Sequence, residues 1–370
     1  MMTGGGTRQR ALDLTVGLVS IVVSLLLTAV IILAAGASPL EVLNKVMEGI
    51  GLTATGFDIV RFSGVINFWI PLMFVCIGLL VTFTAGLWNI GVEGQMMFGA
   101  VCATWVAQEV FLPTIIQVPL EMLAAALGGA FWAALTGLLK TRGGVHEIFG
   151  GVAMNNLANI VSIYLISGPW GNQGGQATPP FRPETLLLPL NTEFRVSLVA
   201  LLVLAAAYGG VYLALSGTRW GLELKAQGRS QRSALLLGVP VERNVLLAMA
   251  VCGFVAGLAG SVRVLFTYGN LRPLVSGGIG FLGVLVVLLT GTRALWAPPI
   301  AFFFAAILAG STRLKIALQL DQSLAGVVQG ILVLMVVLAN GVRGRLRSGG
   351  PAQAPEASAS LEAEEAAIHG

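Results

Sequence analysis

The stretch GLWNIGVEGQMMFGA, residues 86–100, carries the reading of the fold. It sets Asn89, Glu93 and Gln95 at the junction of two apolar runs, 63–85 and 91–108. An ionisable side chain in hydrocarbon costs several kcal/mol unless it faces protein or water. Gly91 and Gly94 let the backbone turn, or let a neighbouring helix approach closely. Two readings are open. The stretch is either a broken helix on a translocation path or a tight packing site with Glu93 in headgroup water.

Outward from this stretch the chain is one apolar run after another. Runs of about twenty apolar residues are candidate spanning helices. Ten are expected: 12–35, 63–85, 91–108, 119–139, 149–168, 195–215, 244–267, 278–291, 295–311 and 324–341. The eighth is short and opens on Gly277, Gly278 and Gly280. Composition agrees, with 56% hydrophobic and only 10% charged residues and a mean hydropathy of +0.87. A soluble chain carries roughly a quarter charged residues, so a cytosolic enzyme, a disordered protein and a secreted disulfide scaffold are excluded. The fold class is all-α, a polytopic inner-membrane protein of about ten transmembrane helices.

The domains follow: residues 1–11 as a cytoplasmic N-terminus, 12–342 as the transmembrane domain and 343–370 as a disordered cytoplasmic tail. The tail is rich in Ala, Pro, Ser and Glu and buries too little to offset its ordering entropy. With both termini cytoplasmic, thirteen of the 21 Lys and Arg fall inside and eight outside, Arg263 among the latter, as the positive-inside rule requires. The basic residues flank apolar spans and form no folded patch for nucleic acid. The expected surroundings are membrane lipid. Outside, 37–62 suits an interfacial amphipathic helix, and 169–194 is an irregular Gly/Pro-rich loop. These segments either receive a delivery protein or simply connect spans.

Cys76, Cys102 and Cys252 sit in apolar runs, and His146 and His369 lack ligand-spaced partners. No metal or bound cofactor is assigned, and no nucleophile–base pair or phosphate loop is present, so the chain is not expected to be an enzyme. Asn155 and Asn159 lie four apart on one helix face. Their amides suit a polar uncharged solute or a neighbouring helix. A weak echo links Asn89-Ile90-Gly91-Val92-Glu93-Gly94 to Gly278-Ile279-Gly280-Phe281-Leu282-Gly283, five spans apart, as an inverted repeat would place them. In the inner loop 217–243, Ser230 can cap a short helix ending at Gly238, before Pro240. That helix suits docking to a cytoplasmic partner, with the small Ala234 against the partner surface and Gly228 and Gly238 shaping entry and exit. A solvated connector is the alternative.

Together, GLWNIGVEGQMMFGA, GVHEIFGGVAMNNLA (144–158), GLELKAQGRSQRSALLLGV (221–239) and LAMAVCGFVAGLAGS (247–261) resemble the permeases of bacterial ABC importers in the branched-chain amino acid/ribose/simple-sugar permease family. Within that family they are most similar to the nucleoside-type permease subunit. The resemblance covers roughly residues 12–342. It implies a transport subunit in the bacterial cytoplasmic membrane, with a partner ABC ATPase holding ATP-Mg. It also implies a second, non-identical permease and an extracytoplasmic solute-binding lipoprotein. The substrate path would then hold Asn89, Glu93, Gln95, Asn155 and Asn159. The coupling loop for the ATPase would hold Glu223, Gly228, Arg232, Ala234, Leu237 and Gly238. A simple-sugar importer, an ion-coupled transporter using Glu93, and a structural membrane subunit are the competing functions.

Overall fold

The computed structural model describes residues 22–23, 26–30, 32–34, 38–53, 56–171 and 176–318. From Leu40 on, the described residues form one compact unit. Residues 22–23, 26–30 and 32–34, within the expected first span, are helical and fall in a separate unit. The expected tenth span, the N-terminal segment 1–11 and the tail 343–370 lie outside the described residues.

Five described helices are long and apolar enough to cross a membrane: Ile59–Thr84, Thr114–Thr141, Glu147–Ser167, Leu198–Gly217 and the continuous run Val241–Tyr268. The elements in order are α1 (Pro39–Ile50), a two-stranded antiparallel hairpin β1 (Leu52–Thr53) and β2 (Gly56–Phe57), α2 (Ile59–Thr84), α3 (Val92–Glu109), α4 (Thr114–Thr141) and α5 (Glu147–Ser167). Then follow α6 (Leu198–Gly217), α7 (Arg219–Arg229), α8 (Gln231–Leu236), α9 (Val241–Val262), a π turn at Arg263–Tyr268, α10 (Ile279–Thr290) and α11 (Ala297–Leu318).

The expected outer amphipathic segment is α1 followed by the hairpin. Leu40, Leu43 and Met47 stay exposed, while Val42 and Gly49 are buried. Asp58 then starts α2 as its N-cap, accepting from the Val60 and Arg61 amides at 3.0 and 3.1 Å.

Helix α2 is the centre of the unit, packing on α6, α9, α10 and α11. Its residues 70–82 are buried on every side, as befits a helix that is apolar all round. At 26 residues it is about 39 Å long, enough for a bilayer core of about 30 Å. Helix α10 has only 12 residues, about 18 Å, so it cannot cross such a core alone. Left-handed glycines bound it at both ends, Gly278 (φ 80) and Gly291 (φ 57).

Helices α4 and α9 press backbone against backbone. A methyl group at Gly129 would overlap the Gly253 carbonyl, and one at Gly257 would overlap the Ala125 carbonyl. Gly99 of α3 also meets Gly257. In membranes such small-residue contacts replace the hydrophobic drive by close van der Waals packing. The apolar run 244–267 therefore owes its place to its glycines rather than to large side chains.

Candidate functional site

Two helix starts lie beside each other where the 86–100 stretch meets α10, and neither is capped by its own N-cap residue. The first four N–H groups of a helix have no partner within it. Helix α3 begins after Gly91 and α10 after Gly278, and a glycine has no side chain to cap with. Both starts are capped from elsewhere. The Asn155 side chain of α5 accepts from the Gly94 amide at 2.7 Å and donates to the Ile90 carbonyl at 2.9 Å. The Glu93 carboxylate of α3 accepts from the Gly278 and Gly280 amides at 2.9 and 2.6 Å. A carboxylate at a helix start also meets the positive end of the helix dipole. So α5 caps α3, and α3 caps α10.

The geometry needs glycine at each approach. A Cβ at Gly280 would overlap the Glu93 carboxylate, one at Gly94 would crowd the Asn155 amide, and Gly91 and Gly151 face each other. The two echoing segments of the sequence are thus in direct contact through Glu93 and Gly280.

Asn89 and Gln95 form a closed pair behind this junction. Each side-chain amide donates to the other's oxygen, at 3.1 and 3.0 Å, and Asn89 also donates to the Cys252 sulfur at 3.1 Å. Both are fully buried, and Glu93 is only 4% exposed. Four of the five expected path residues are therefore brought together, with their polar atoms largely spent on one another and on backbone. Asn159 stands one turn beyond Asn155, half-buried, with its buried carbonyl oxygen unpartnered among the described residues.

The inner loop folds as two helices in sequence. Ser230 caps α8, its hydroxyl accepting from the Ser233 amide, and the left-handed Gly238 (φ 76) follows the helix. Two expectations for this loop need correction. Ala234 is 1% exposed. It packs inside the chain and cannot meet a partner, because the small residue fills the inward side of a single helical turn. Leu235, Leu236 and Leu237 face out instead, at 57%, 85% and 78% exposure. Gly228 is no entry turn. It lies within α7, where its bare Cα lets the helix rest on the Thr84 carbonyl and on Gly86. Glu223 is half-buried and accepts from Asn244 at 3.1 Å and from Arg219 at 3.2 Å. Arg232 is exposed. The end of α2 is held to this loop, since Gln227 donates to the Ala85 carbonyl at 3.4 Å.

The sequence reading missed four contributors. Gly278 and Gly280 act through their amides, and only the echo with 89–94 pointed to them. Cys252 serves as an acceptor for Asn89. Arg263, placed outside by the topology count, is 2% exposed within the unit. Its signal was an arginine inside the apolar run 244–267.

The family described as branched-chain amino acid transport system / permease component matches residues 61–337. The chain is similar to the guanosine ABC transporter permease NupP of Bacillus subtilis, 28% identical over 352 residues, covering 92% of this chain and 99% of that protein. It is also similar to the glucose ABC transporter permease TsgB13 of Haloferax volcanii, 29% identical over 281 residues, with 72% and 73% covered. The nucleoside ABC transporter permease NupB of Lactococcus lactis is 26% identical over 317 residues, with 79% and 81% covered.

Proposed function

Because the chain belongs to the branched-chain amino acid transport system permease family, it is a membrane subunit of an ABC importer, and we propose that it carries nucleosides. What carries this reading is the match to a guanosine permease over 92% of this chain and 99% of that one. The site agrees with it. Near this junction the side-chain amides of Asn89 and Gln95 pair with each other and Asn155 binds backbone, and the Glu93 carboxylate is already held by two backbone N–H groups. Such a junction offers no fixed charge to a solute, which suits a polar neutral one. Both Glu93 oxygens are engaged by backbone amides, which argues against an ion-coupled cycle at this residue.

In this reading the chain crosses the inner membrane ten times, with both termini cytoplasmic and the 89–94 and 278–283 segments as related parts of an inverted repeat. A solute-binding lipoprotein delivers the nucleoside. A second, non-identical permease completes the path. A cytoplasmic ATPase, which holds the ATP-Mg, docks on the loop 217–243 through exposed Leu236 and Leu237, with Arg232 and Gly238 beside them. Movement there reaches the polar junction by a short physical route. Gly228 and Gln227 of α7 hold Gly86 and Ala85, three to four residues before Asn89. Asn89 holds Gln95, and the adjacent Glu93 holds the start of α10.

The test is uptake by the whole importer in proteoliposomes, with labelled guanosine and unlabelled competitors. Inosine and adenosine should compete, and glucose and ribose should not. The reverse pattern assigns the chain to sugars, as the glucose permease relative would have it.

A further inference from the structure

Arg263 is a buried arginine that forms no ion pair among the described residues. It is 2% exposed, at the start of the π turn that ends the α9 run. Its Nε donates to the Val275 carbonyl at 3.2 Å, and one terminal nitrogen donates to the Tyr268 hydroxyl. The other terminal nitrogen has no hydrogen bond among the described residues. The guanidinium lies 4.5 Å from the Tyr268 ring centre and 5.7 Å from that of Phe68 on α2. On Tyr268 a second cation, Arg272, sits 4.2 Å from the ring centre and donates to the Asn270 side-chain oxygen at 3.1 and 3.3 Å. Neither arginine forms an ion pair among the described residues. The Glu93 carboxylate is engaged by the α10 amides.

Intramembrane cations are rare and normally paired, and an unpaired one marks a functional site by default. The surroundings are built for a purpose other than packing. π turns concentrate at functional positions. Leu274 stands in the left-handed region at φ 51, a conformation that a bulky residue adopts only when its surroundings impose it. The segment 265–271 is strapped by the outer loop: Thr178 donates to the Leu271 carbonyl at 2.9 Å, Phe181 to Gly269 at 2.8 Å and Leu187 to Leu265 at 3.1 Å. Tyr268 and Phe68 are half-buried, while Leu274 and Gly277 are exposed, so the cluster borders open space.

We infer that Arg263, Tyr268 and Phe68 form a nucleobase subsite that selects bases bearing a carbonyl, the 6-oxopurines above all. The inference rests on the proposed nucleoside function. Unpaired bases stack on aromatic faces; two guanidinium groups already lie over the Tyr268 ring, so Phe68 offers the stacking face. The free nitrogen of Arg263 supplies a donor, and arginine reads the paired O6 and N7 acceptors of a 6-oxopurine. Adenine presents an amino donor at that edge, which a guanidinium repels. Tyr268 orients the guanidinium through its hydroxyl and so acts as a positioning residue.

The experiment compares guanosine and adenosine uptake by the complete importer in proteoliposomes, for wild type, Arg263→Lys and Tyr268→Phe. Subunit stoichiometry of each purified complex serves as the assembly control. Wild type should prefer guanosine, and Arg263→Lys should lower that preference by about tenfold, the loss of one paired base contact. Tyr268→Phe should move it in the same direction by less, mainly through KM. If Arg263→Lys does not assemble, Tyr268→Phe decides alone. Nucleoside uptake with an unchanged preference in every variant that assembles, or no preference in wild type, overturns the subsite and leaves the function standing. Uptake of glucose without any nucleoside overturns the function and the subsite together.

Discussion

Replacing Glu93 by glutamine changes one oxygen to an NH2 group and tests whether α10 is held by a carboxylate from α3. The carboxylate serves two donors, Gly278 and Gly280, at 2.9 and 2.6 Å. A glutamine has one acceptor oxygen, so one amide faces another donor. An unsatisfied buried donor costs about 1–3 kcal/mol. The remaining bond loses its charge assistance and the favourable field of the helix start, about another 1 kcal/mol. The sum is about 2–4 kcal/mol, borne locally by the first turn of α10. Each 1.36 kcal/mol is a tenfold change, so opening of that turn should become about thirty- to a thousandfold more frequent. Amide hydrogen exchange of peptides covering 276–285 in nanodiscs reads this directly. Asn155→Ala is the companion variant. It should speed exchange around Gly94 while leaving 278–280 protected, because its bonds go to Gly94 and Ile90. Unchanged exchange at 276–285 in Glu93→Gln would refute the capping argument.

Gly257→Ala should lower the melting temperature of the purified chain, because its methyl group meets the Ala125 carbonyl and overpacking costs about 1–3 kcal/mol. Gly209→Ala in α6, where a Cβ meets nothing within 4 Å, should be neutral or raise it by the helix-propensity gain of up to about 1 kcal/mol. Leu236→Glu should reduce co-purification with the ATPase and leave the chain's own melting unchanged, whereas Ala234→Glu should destabilise the chain itself, since that site is buried. Arg182→Ala should make the 176–197 loop more sensitive to protease added outside. Its guanidinium holds the Ala107 and Val110 carbonyls at 2.9 and 2.6 Å and stacks on Phe111 at 3.9 Å. Single cysteines at exposed Thr192 and Arg232, with the native three removed, should label from opposite sides of the membrane. Labelling from one side would reject the ten-span topology.

Helix positions were legible wherever local chemistry decides them. The run 63–85 became Ile59–Thr84, and 119–139 became Thr114–Thr141, because apolar length and end signals belong to the segment itself. Ser230 announced α8 in the same way, through a capping hydroxyl with a glycine just past the end. The brevity of α10 was visible in its flanking glycines. What escaped depends on distant partners. Glu93 and Gly280 are 187 residues apart, and nothing in either segment states that one caps the other. The weak echo hinted at kinship, not contact. Ala234 was assigned outward because a single turn is too short to fix which side faces in. Arg263 was counted among the outside charges, and its burial beside the rings of Phe68 and Tyr268 depends on partners far along the chain or across the turn.

The contact between α4 and α9 has a mechanical consequence. Where side chains stand between two helices, they can change rotamer to let one helix slide over the other. Between Gly129 and Gly253, and between Ala125 and Gly257, no side chains intervene, so there is nothing to rearrange. Two backbones in direct touch can separate or stay, but cannot yield by degrees. The pair therefore behaves as a fulcrum. Any opening of the unit that keeps this contact has to pivot about it, with the looser α5 and α6 sweeping the larger arc.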